Sequence, residues 1–332
     1  GRRRAAAQGH RSCQASPLPR GRMMTSPARR KPGTILLIGA TGQIGWELQR
    51  ALASLGPVKA PGRDRLDLAD RDQLRRCVRD IVPDLVINAA AYTDVDGAEA
   101  NEDLAMAVNA EAPGILAEEA RRLDIPLVHY STDYVFGGVP AAASENRPYR
   151  EDDPTSPINT YGRSKLAGER AIQAVAGPHL IFRTSWIYAA RGSNFLRTMQ
   201  RLARDRDELR VVEDQTGAPT WARMVAEATL QALARCWAPG DADPLSGSGG
   251  LYHLSATGQA TWHAFAEAIL RHALEADDRN VRARRVVPIP SSAFPRPARR
   301  PAYSVLDNSA VCEAFDIRLP HWHSQLDLCL QE

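Results

Sequence analysis

The sequence predicts an α/β fold, with a doubly wound parallel sheet and a smaller C-terminal domain interleaved with it. Short apolar runs alternate with helical patterns, and these runs are TILLIG (34–39), DLVINAAA (84–91), PLVHYS (126–131) and HLIFRTS (179–185). Such alternation indicates βαβ units. The runs are apolar throughout, as expected of strands that helices cover on both faces.

A glycine pattern follows the first of these runs. GATGQIG places Gly39, Gly42 and Gly45 where the strand turns into a helical stretch, with Gln43 and Ile44 between them. Glycine permits a tight turn and a close approach of the backbone to a diphosphate, and the helix N-terminus offers free N–H groups. Spaced glycines alone also occur in ordinary turns. Their place after a first strand and before an amphipathic helix predicts a dinucleotide-binding loop of the Rossmann type.

The second strand is predicted near VKAPG (58–62), and its end should lie beside the adenosine ribose of the dinucleotide. Arg63 follows it and could bind a 2′-phosphate, whereas the adjacent Asp64 favours a free 2′-hydroxyl. We therefore expect NADPH, with NADH as the alternative, and Arg63 could instead be an exposed loop charge. Asp67 and Leu68 are predicted to close over the adenine.

The C-terminal half shows a weaker alternation. Helical stretches are predicted at 192–204, 221–235 and 261–274, interrupted by the Gly/Ser-rich DADPLSGSGG and the proline-rich PIPSSAFPRPARRP. We predict that the dinucleotide-binding domain covers residues 33–185 and about 211–237. A substrate domain should cover about 186–210 and 238–332.

Tyr161 and Lys165 stand four residues apart in TYGRSKLAGE, so on a helix they share one face. A tyrosine hydroxyl with a pKa of about 10 is a poor proton shuttle at neutral pH, and a nearby ammonium group lowers that pKa. Chance pairs of this kind are common in helices. This pair, however, follows the fourth sheet strand, which ends in Ser131 and Thr132 at the edge where such sheets bind ligands. A hydroxyl there could bond a substrate carbonyl, and Lys165 could also hold the nicotinamide ribose.

Charge is distributed unevenly along the 332 residues. The formal net charge is +3, but nine of the 42 basic residues and none of the 39 acidic ones lie in residues 1–32. The remainder is therefore mildly acidic, which argues against a nucleic-acid partner. We predict that residues 1–32 form a disordered basic tail, either a targeting peptide or, as we favour, sequence upstream of a natural start at Met23 or Met24.

The remaining composition predicts a cytoplasmic protein with no membrane partner. No apolar run approaches the roughly 20 residues that a membrane span needs. The five cysteines are odd in number and include no C-x-x-C pair, so neither a disulfide framework nor a zinc site is indicated. His321 and His323 lack further ligand residues nearby and are expected to lie on the surface.

Taken together, these motifs resemble those of the extended short-chain dehydrogenase/reductases, and more narrowly those of the dTDP-4-dehydrorhamnose reductases. The resemblance covers about residues 34–310 and is carried by GATGQIGWEL, INAAAYTDVDGAE, AVNAEAP, STDYVFGG, DPTSPINTYGRSKLAGE, RTSWIYAARGSNF, EDQTGAPT and RPAYSVLDNS. It implies a nucleotide-sugar substrate. The implied reaction is the NAD(P)H-dependent reduction of dTDP-6-deoxy-L-lyxo-4-hexulose (dTDP-4-dehydro-L-rhamnose) to dTDP-L-rhamnose, the last step of dTDP-rhamnose biosynthesis.

The resemblance also implies roles for single residues. Thr132, Tyr161 and Lys165 would be the catalytic residues, with Tyr134 supporting the site. Trp186 would form a wall for the sugar ring, and an ordinary core tryptophan is the alternative. Gln43 and Ile44 would belong to the diphosphate loop, and the cofactor would be lined by Ala89, Ala90 and Tyr92. Asn109 would steady the active-site backbone, and Arg300 would approach the nucleotide diphosphate.

Two other functions share these motifs. A nucleotide-sugar epimerase or dehydratase of the same superfamily has the same loop and Tyr/Lys pair, but GQIGWEL, RTSWIY and DQTGAPT favour the reductase. A non-catalytic regulatory subunit, resembling the partner of methionine adenosyltransferase, can lose the tyrosine or the lysine. Both residues are present here, which favours an enzyme.

One position departs from the pattern of the reductases. Some members bind Mg²⁺ at a dimer interface through a glutamate in the GWEL stretch and another just after GAPT. Here Glu47 is present, but Arg223 stands at the second position. A guanidinium does not ligate a cation, so we expect no Mg²⁺ at this place and either a monomer or a homodimer.

Overall fold

A computed structural model describes residues 1, 33–138, 147–236, 245, 247–276 and 279–332. Apart from residue 1, the predicted basic tail lies outside the described residues, and so does half of DADPLSGSGG. The strands are β1 (Ile35–Ile38), β2 (Val58–Lys59), β3 (Leu85–Asn88), β4 (Leu127–Thr132), β5 (His179–Thr184), β6 (Ile187–Tyr188), β7 (Leu209–Val212), β8 (Thr216–Gly217), β9 (Thr220–Trp221), β10 (Gly250–His253), β11 (Ala260–Thr261) and β12 (Val286–Ile289).

The helices alternate with the strands in the N-terminal half and dominate later. They are α1 (Gln43–Leu52), α2 (Arg71–Ile81), α3 (Val95–Ala100), α4 (Glu102–Met106), α5 (Ala112–Leu123), α6 (Thr160–Val175), α7 (Phe195–Asp205), α8 (Ala222–Cys236), α9 (Trp262–Glu275), α10 (Ser309–Phe315) and α11 (Trp322–Leu330). A π-helical turn, Ala107–Glu111, joins α4 to α5. The three helical stretches predicted in the C-terminal half match α7, α8 and α9.

The central sheet has six strands in the order β10-β5-β4-β3-β1-β2, and every neighbouring pair is parallel. The chain moves from β1 to β2 on one side and then returns to β3 on the other. The carboxyl ends of β1 and β3 therefore border a crevice, which is where doubly wound sheets bind ligands. This confirms the predicted doubly wound parallel sheet.

Helices cover both faces of the sheet because each helix carries an apolar stripe. On one face α1 and α8 pack around Leu48, Leu52 and Val225, and on the other α2 and α5 contribute Leu74 and Leu116. A separate apolar core joins α7, α9 and α11. Strand β10 lies at the sheet edge although its residues fall in the range predicted for the substrate domain. The domain boundaries stay a prediction.

Glu119 on α5 is an acid surrounded by arginines from two helices. Its side chain is only 2% exposed, and its carboxylate accepts hydrogen bonds from Arg79 at 2.5 and 3.0 Å and from Arg122 at 2.9 Å. Arg75 adds a contact of 3.3 Å. The bonds from Arg79, followed by those from Arg122, lower the pKa of Glu119 from its ordinary 4.5 to about 2. The cluster ties α2 to α5.

Replacing Glu119 by glutamine should lower the free energy of unfolding at pH 7 by about 1–3 kcal/mol, because the arginines are partly exposed and lose only a screened partner. A carboxylate whose folded pKa lies below its unfolded value stabilises the fold above the unfolded value. That stabilisation is lost as the pH falls from 4.5 towards 2. Urea unfolding of both proteins at pH 7 and pH 3 measures the difference.

A matched control is the replacement of Glu118 by glutamine, since Glu118 bonds Arg75 at 2.7 Å from a half-exposed position. It should cost less than about 0.5 kcal/mol at either pH. A Glu119 effect that is equally large at pH 3 would contradict the ionic explanation.

Candidate active site

The glycine loop after β1 leaves no room for side chains. Gly39 has φ +84°, and a Cβ there would meet the backbone nitrogen of Ala90 at 2.5 Å. A Cβ on Gly45 would overlap with the carbonyl oxygen of Gly39. Helix α1 begins directly after Gly42, and no side chain caps its first N–H groups. A bare helix N-terminus with a close backbone approach fits a dinucleotide diphosphate.

Replacing Gly45 by alanine should weaken NADPH binding by about tenfold or more, a loss of at least about 1.4 kcal/mol, because the loop must shift to remove the overlap. Quenching of protein fluorescence on NADPH titration gives the affinity, and circular dichroism confirms that the variant folds. A folded variant with unchanged affinity would show that the loop is not the diphosphate site.

The residues predicted to surround the adenosine end follow β2. Arg63 and Asp67 are exposed, whereas Leu68 is half-buried and packs against the core beneath α2. The Asp67 carboxylate accepts a hydrogen bond from the Ala69 N–H at 2.9 Å, and the Asp67 N–H donates to the side chain of Gln73. An exposed guanidinium is available to a 2′-phosphate. The roles of these three residues stay predictions.

The segment after β3 is held by a buried asparagine. The Tyr92 N–H donates to Asn109 Oδ1 at 2.8 Å, and Asn109 Nδ2 donates back to the Tyr92 carbonyl at 3.0 Å. Asn109 also donates to Ser164 Oγ at 3.0 Å, and that hydroxyl donates to the Tyr161 carbonyl at 2.9 Å. Asn109 therefore links the predicted cofactor-lining segment to α6, and its role in the active site stays a prediction. Ala89 lies in the same segment, its N–H bonded to the Ile38 carbonyl at 2.9 Å.

Helix α6 carries the Tyr/Lys pair into the site. Asn159 caps the helix by accepting a hydrogen bond from the Gly162 N–H at 2.8 Å. Lys165 is 1% exposed, and its Nζ lies 2.6 Å from the Tyr130 carbonyl oxygen and 3.1 Å from His129 Nε2. His129 was not predicted as a site residue, because a histidine inside an apolar strand gives no sign of which groups it contacts.

The pKa of Tyr161 differs from the expectation. The ammonium group of Lys165 was expected to lower it, but burial raises the pKa of Tyr161 to about 12, opposed by a hydrogen bond with Thr132. Burial also lowers the pKa of Lys165 to about 8. Desolvation disfavours the charged form of each group, and the lysine is turned towards β4. Tyr161 thus keeps its proton at neutral pH, as a general acid must.

Thr132 and Asp133 form a buried polar pair at the end of β4. The Thr132 hydroxyl donates to Asp133 Oδ1 at 3.1 Å and accepts from the Tyr134 N–H at 3.2 Å. Ser185 donates to Asp133 Oδ2 at 3.0 Å. Burial raises the pKa of Asp133 to about 6, against the effect of these hydroxyl groups. The hydrogen bond between Thr132 and Tyr161 favours the phenolate and so opposes the effect of burial on the pKa of Tyr161. Sequence analysis missed Asp133.

Trp186 lies in an aromatic cluster with an unusual backbone. Its φ is +45°, and its ring stacks on Trp262 at 3.5 Å with an angle of 4° between the planes. Phe195 packs against Trp262, with 4.6 Å between the two ring centroids. A Cβ on Gly217 would overlap with the Trp186 ring. Trp262 and Phe195 were not predicted, because they come from other parts of the chain.

Gln43 connects the glycine loop to the segment after Trp186. Its Oε1 accepts a hydrogen bond from Asn194 Nδ2 at 3.0 Å, and its Nε2 donates to the Ile187 carbonyl at 3.4 Å. Ile44, the next residue, packs against the core. The predicted cofactor loop therefore contacts Ile187, the residue that follows the predicted sugar wall Trp186.

Tyr134 contacts Tyr161 and lies within reach of the charge of Arg300. The rings of Tyr134 and Tyr161 meet edge to face at 5.8 Å. Arg300 donates two hydrogen bonds to Asp96, at 2.7 and 2.9 Å, and its positive charge acts on the Tyr134 hydroxyl. Those bonds lower the pKa of Asp96. A diphosphate would have to share Arg300 with Asp96, and this role stays a prediction.

The region predicted to lack Mg²⁺ is rich in arginine. Arg223 contacts Glu332 and Glu227, and its charge acts on the mostly buried Glu47, whose pKa is raised chiefly by burial. Among the described residues no group of three or more histidines, cysteines or acids could hold a metal. Within the same residues four cysteines are free thiols, and no helix is long and apolar enough to cross a bilayer.

The fold and the site define a class of protein. The sheet is parallel, with a glycine loop at its switch point, Thr132 at the end of β4, and Tyr161 and Lys165 on α6. This is the arrangement of an NAD(P)-dependent oxidoreductase of the extended short-chain dehydrogenase/reductase type.

Comparison with known proteins gives the family. Residues 33–332 match the family model described as RmlD substrate binding domain. A dTDP-4-dehydrorhamnose reductase of Burkholderia thailandensis is 50% identical over 90% of this chain and 98% of its own length. A crystal structure of a dTDP-4-dehydrorhamnose reductase from Clostridium acetobutylicum is 33% identical to this chain, with a TM-score of 0.79 over 90% of this chain and 98% of that chain. A crystal structure of a dTDP-4-dehydrorhamnose reductase from Bacillus anthracis in complex with NADP is also 33% identical, with a TM-score of 0.78 over 91% of this chain and 99% of that chain. The chain belongs to the dTDP-4-dehydrorhamnose reductase family.

Proposed function

We propose that the protein reduces dTDP-4-dehydro-L-rhamnose to dTDP-L-rhamnose with NADPH. The observation that carries the proposal is that Tyr161, buried beside Thr132, keeps its proton at neutral pH. A proton donor at this position suits the reduction of a ketone. The relatives with matching sequence are named as reductases of this substrate.

The chain's own groups have distinct tasks in this reaction. Bound NADPH supplies a hydride to the carbonyl carbon of the sugar. Tyr161 gives its hydroxyl proton to the oxygen that becomes negatively charged, a contribution of about 10²- to 10⁴-fold. Thr132 lies beside the Tyr161 hydroxyl and hydrogen-bonds the substrate carbonyl oxygen. Trp186 offers its ring to the sugar, and Lys165 holds the cofactor ribose.

Two alternatives are weaker. A regulatory subunit needs neither Tyr161 nor Lys165, yet both are positioned with buried partners. An epimerase or dehydratase would use the same pair, but it regenerates its cofactor within each cycle. The exchange of the cofactor at every turnover therefore distinguishes the reductase.

The test follows NADPH absorbance while the 4-keto sugar nucleotide is generated in the same reaction, and mass spectrometry identifies the product. We expect one NADPH consumed per sugar and dTDP-rhamnose as the product, with slower reaction when NADH replaces NADPH. Product without net cofactor consumption would favour an epimerase. Cofactor binding with neither consumption nor product would favour the regulatory subunit.

We also propose a cytoplasmic enzyme, monomeric or homodimeric, that assembles without Mg²⁺. Arg223 beside Glu47 supports the absence of the ion, since both charges are already opposed by neighbouring groups. Light scattering with and without a chelator should give the same mass, and a chelator-sensitive dimer would contradict this. The domain division, with the substrate domain at about 186–210 and 238–332, is part of the same proposal.

A further inference from the structure

A chain of buried polar groups ends at Lys165. Asn88 at the end of β3 and His129 in β4 are both fully buried, and Asn88 Nδ2 lies 3.2 Å from His129 Nδ1. His129 Nε2 lies 3.1 Å from Lys165 Nζ. The proposed reaction uses Lys165 alone, so the two groups behind it have no assigned role.

The orientation of Asn88 follows from its neighbour. The Ala90 N–H donates to Asn88 Oδ1 at 3.2 Å, which directs the amide nitrogen at the imidazole. An amide nitrogen can only donate, so His129 Nδ1 must accept. A neutral imidazole carries one proton, and in His129 that proton is therefore on Nε2.

The His129 N–H faces the lysine. An ammonium group has three donors and no lone pair, whereas a neutral amine can accept. A neutral Lys165 therefore accepts from His129 and still donates to the Tyr130 carbonyl at 2.6 Å. A charged Lys165 would place two donors against each other, at a cost in a buried site.

Other charges near Lys165 do not reverse this preference. Glu169, one turn further along α6, raises the pKa of Lys165, but two hydrogen bonds of 2.9 and 2.7 Å commit its carboxylate to Arg183 on β5. His253 on β10 lies behind Arg183. Burial is the larger effect on Lys165, and burial also lowers the pKa of His129 well below its ordinary value, so the imidazole is neutral whether or not the lysine carries a charge.

We propose that Asn88 and His129 are positioning residues that hold Lys165 as a neutral amine in the cofactor-free enzyme at alkaline pH, so that under these conditions the lysine takes up a proton from solvent as NADPH binds. The inference rests on the proposed cofactor. Ribose hydroxyl oxygens accept hydrogen bonds, which favours the ammonium form once the ribose is present. Binding and protonation of Lys165 are thereby linked.

Isothermal titration calorimetry with NADPH at pH 9 tests the link. Titrations in two buffers of different ionisation enthalpy give the number of protons taken up per cofactor. The 2′-phosphate contributes none, because its second pKa is about 6. We expect uptake approaching one proton in the wild-type protein.

Asn88→Asp should reduce the uptake to near zero. The carboxylate still accepts from the Ala90 N–H, but it also accepts from His129 Nδ1, so that Nε2 becomes an acceptor and Lys165 is charged before NADPH arrives. Asn88→Ala adds no charge and frees the imidazole to adopt either tautomer, so the uptake should fall to an intermediate value. It also keeps the test valid if the aspartate variant does not fold.

The matched control is Asn101→Asp, which makes the same change at an exposed site whose side chain bonds the Gly97 carbonyl. Its uptake should equal that of the wild-type protein. Equal uptake in the wild type and both Asn88 variants would overturn the inference while leaving the proposed function intact. NADPH that binds to none of the proteins would overturn the proposed function, and the inference with it.

Discussion

Replacing Tyr161 by phenylalanine should lower kcat by about 10²- to 10⁴-fold, the range for a lost general acid. The ring and its edge-to-face contact with Tyr134 are retained, so NADPH affinity should stay within about threefold. Steady-state kinetics with the 4-keto sugar nucleotide, together with an NADPH titration, measures both quantities.

Tyr134→Phe is the matched control, because it removes the hydroxyl of the tyrosine whose ring contacts Tyr161. The proposed mechanism gives Tyr134 no proton to transfer, so kcat should fall less than about tenfold. Equal losses in the two variants would mean that the proton comes from elsewhere. Wild-type turnover in Tyr161→Phe would remove the tyrosine from the mechanism.

Replacing Glu169 by glutamine should lower the free energy of unfolding by about 3–5 kcal/mol, because Arg183 would keep an uncompensated buried charge. The side chains of Glu169 and Arg183 are 2% and 4% exposed, and two hydrogen bonds join them. Guanidinium unfolding followed by circular dichroism gives the value. A loss below about 1 kcal/mol would show that Arg183 finds another partner.

Two variants distinguish the loss of the buried Glu169–Arg183 ion pair from the general effect of replacing a glutamate by glutamine. Glu102→Gln breaks an exposed contact of 3.8 Å with Arg163 and should cost less than about 0.5 kcal/mol. Glu169→Gln combined with Arg183→Met should recover much of the loss, since it leaves no unpaired charge in the core.

The parts predicted from sequence are those with a local signature. Apolar strands between amphipathic helices are local patterns, and they were sufficient to predict the parallel sheet. The glycines at 39, 42 and 45 mark a turn that few other residues can make, and Tyr161 and Lys165 are neighbours along one helix. Each of these inferences needs only a short stretch of chain.

The parts that were missed depend on contacts between distant segments. Trp262 stacks on Trp186, and His129 meets both Asn88 and Lys165, although none of these pairs is adjacent in the chain. The pKa of Tyr161 was predicted in the wrong direction because desolvation depends on everything packed around the ring. Strand β10 is short and follows a glycine-rich segment, so no clear sequence pattern indicated that it pairs with β5.

The left-handed backbone of Trp186 makes a bulky side chain costly for stability at this position. For a bulky side chain a positive φ costs about 1–2 kcal/mol, whereas glycine adopts it freely. Tryptophan at this position therefore destabilises the local backbone conformation. Its stacking on Trp262 offsets only about 0.5–1.5 kcal/mol of that cost. Random mutagenesis screened for thermal resistance alone would accept smaller or more flexible residues here, and the same screen would discard the aromatic wall on which sugar recognition is proposed to depend.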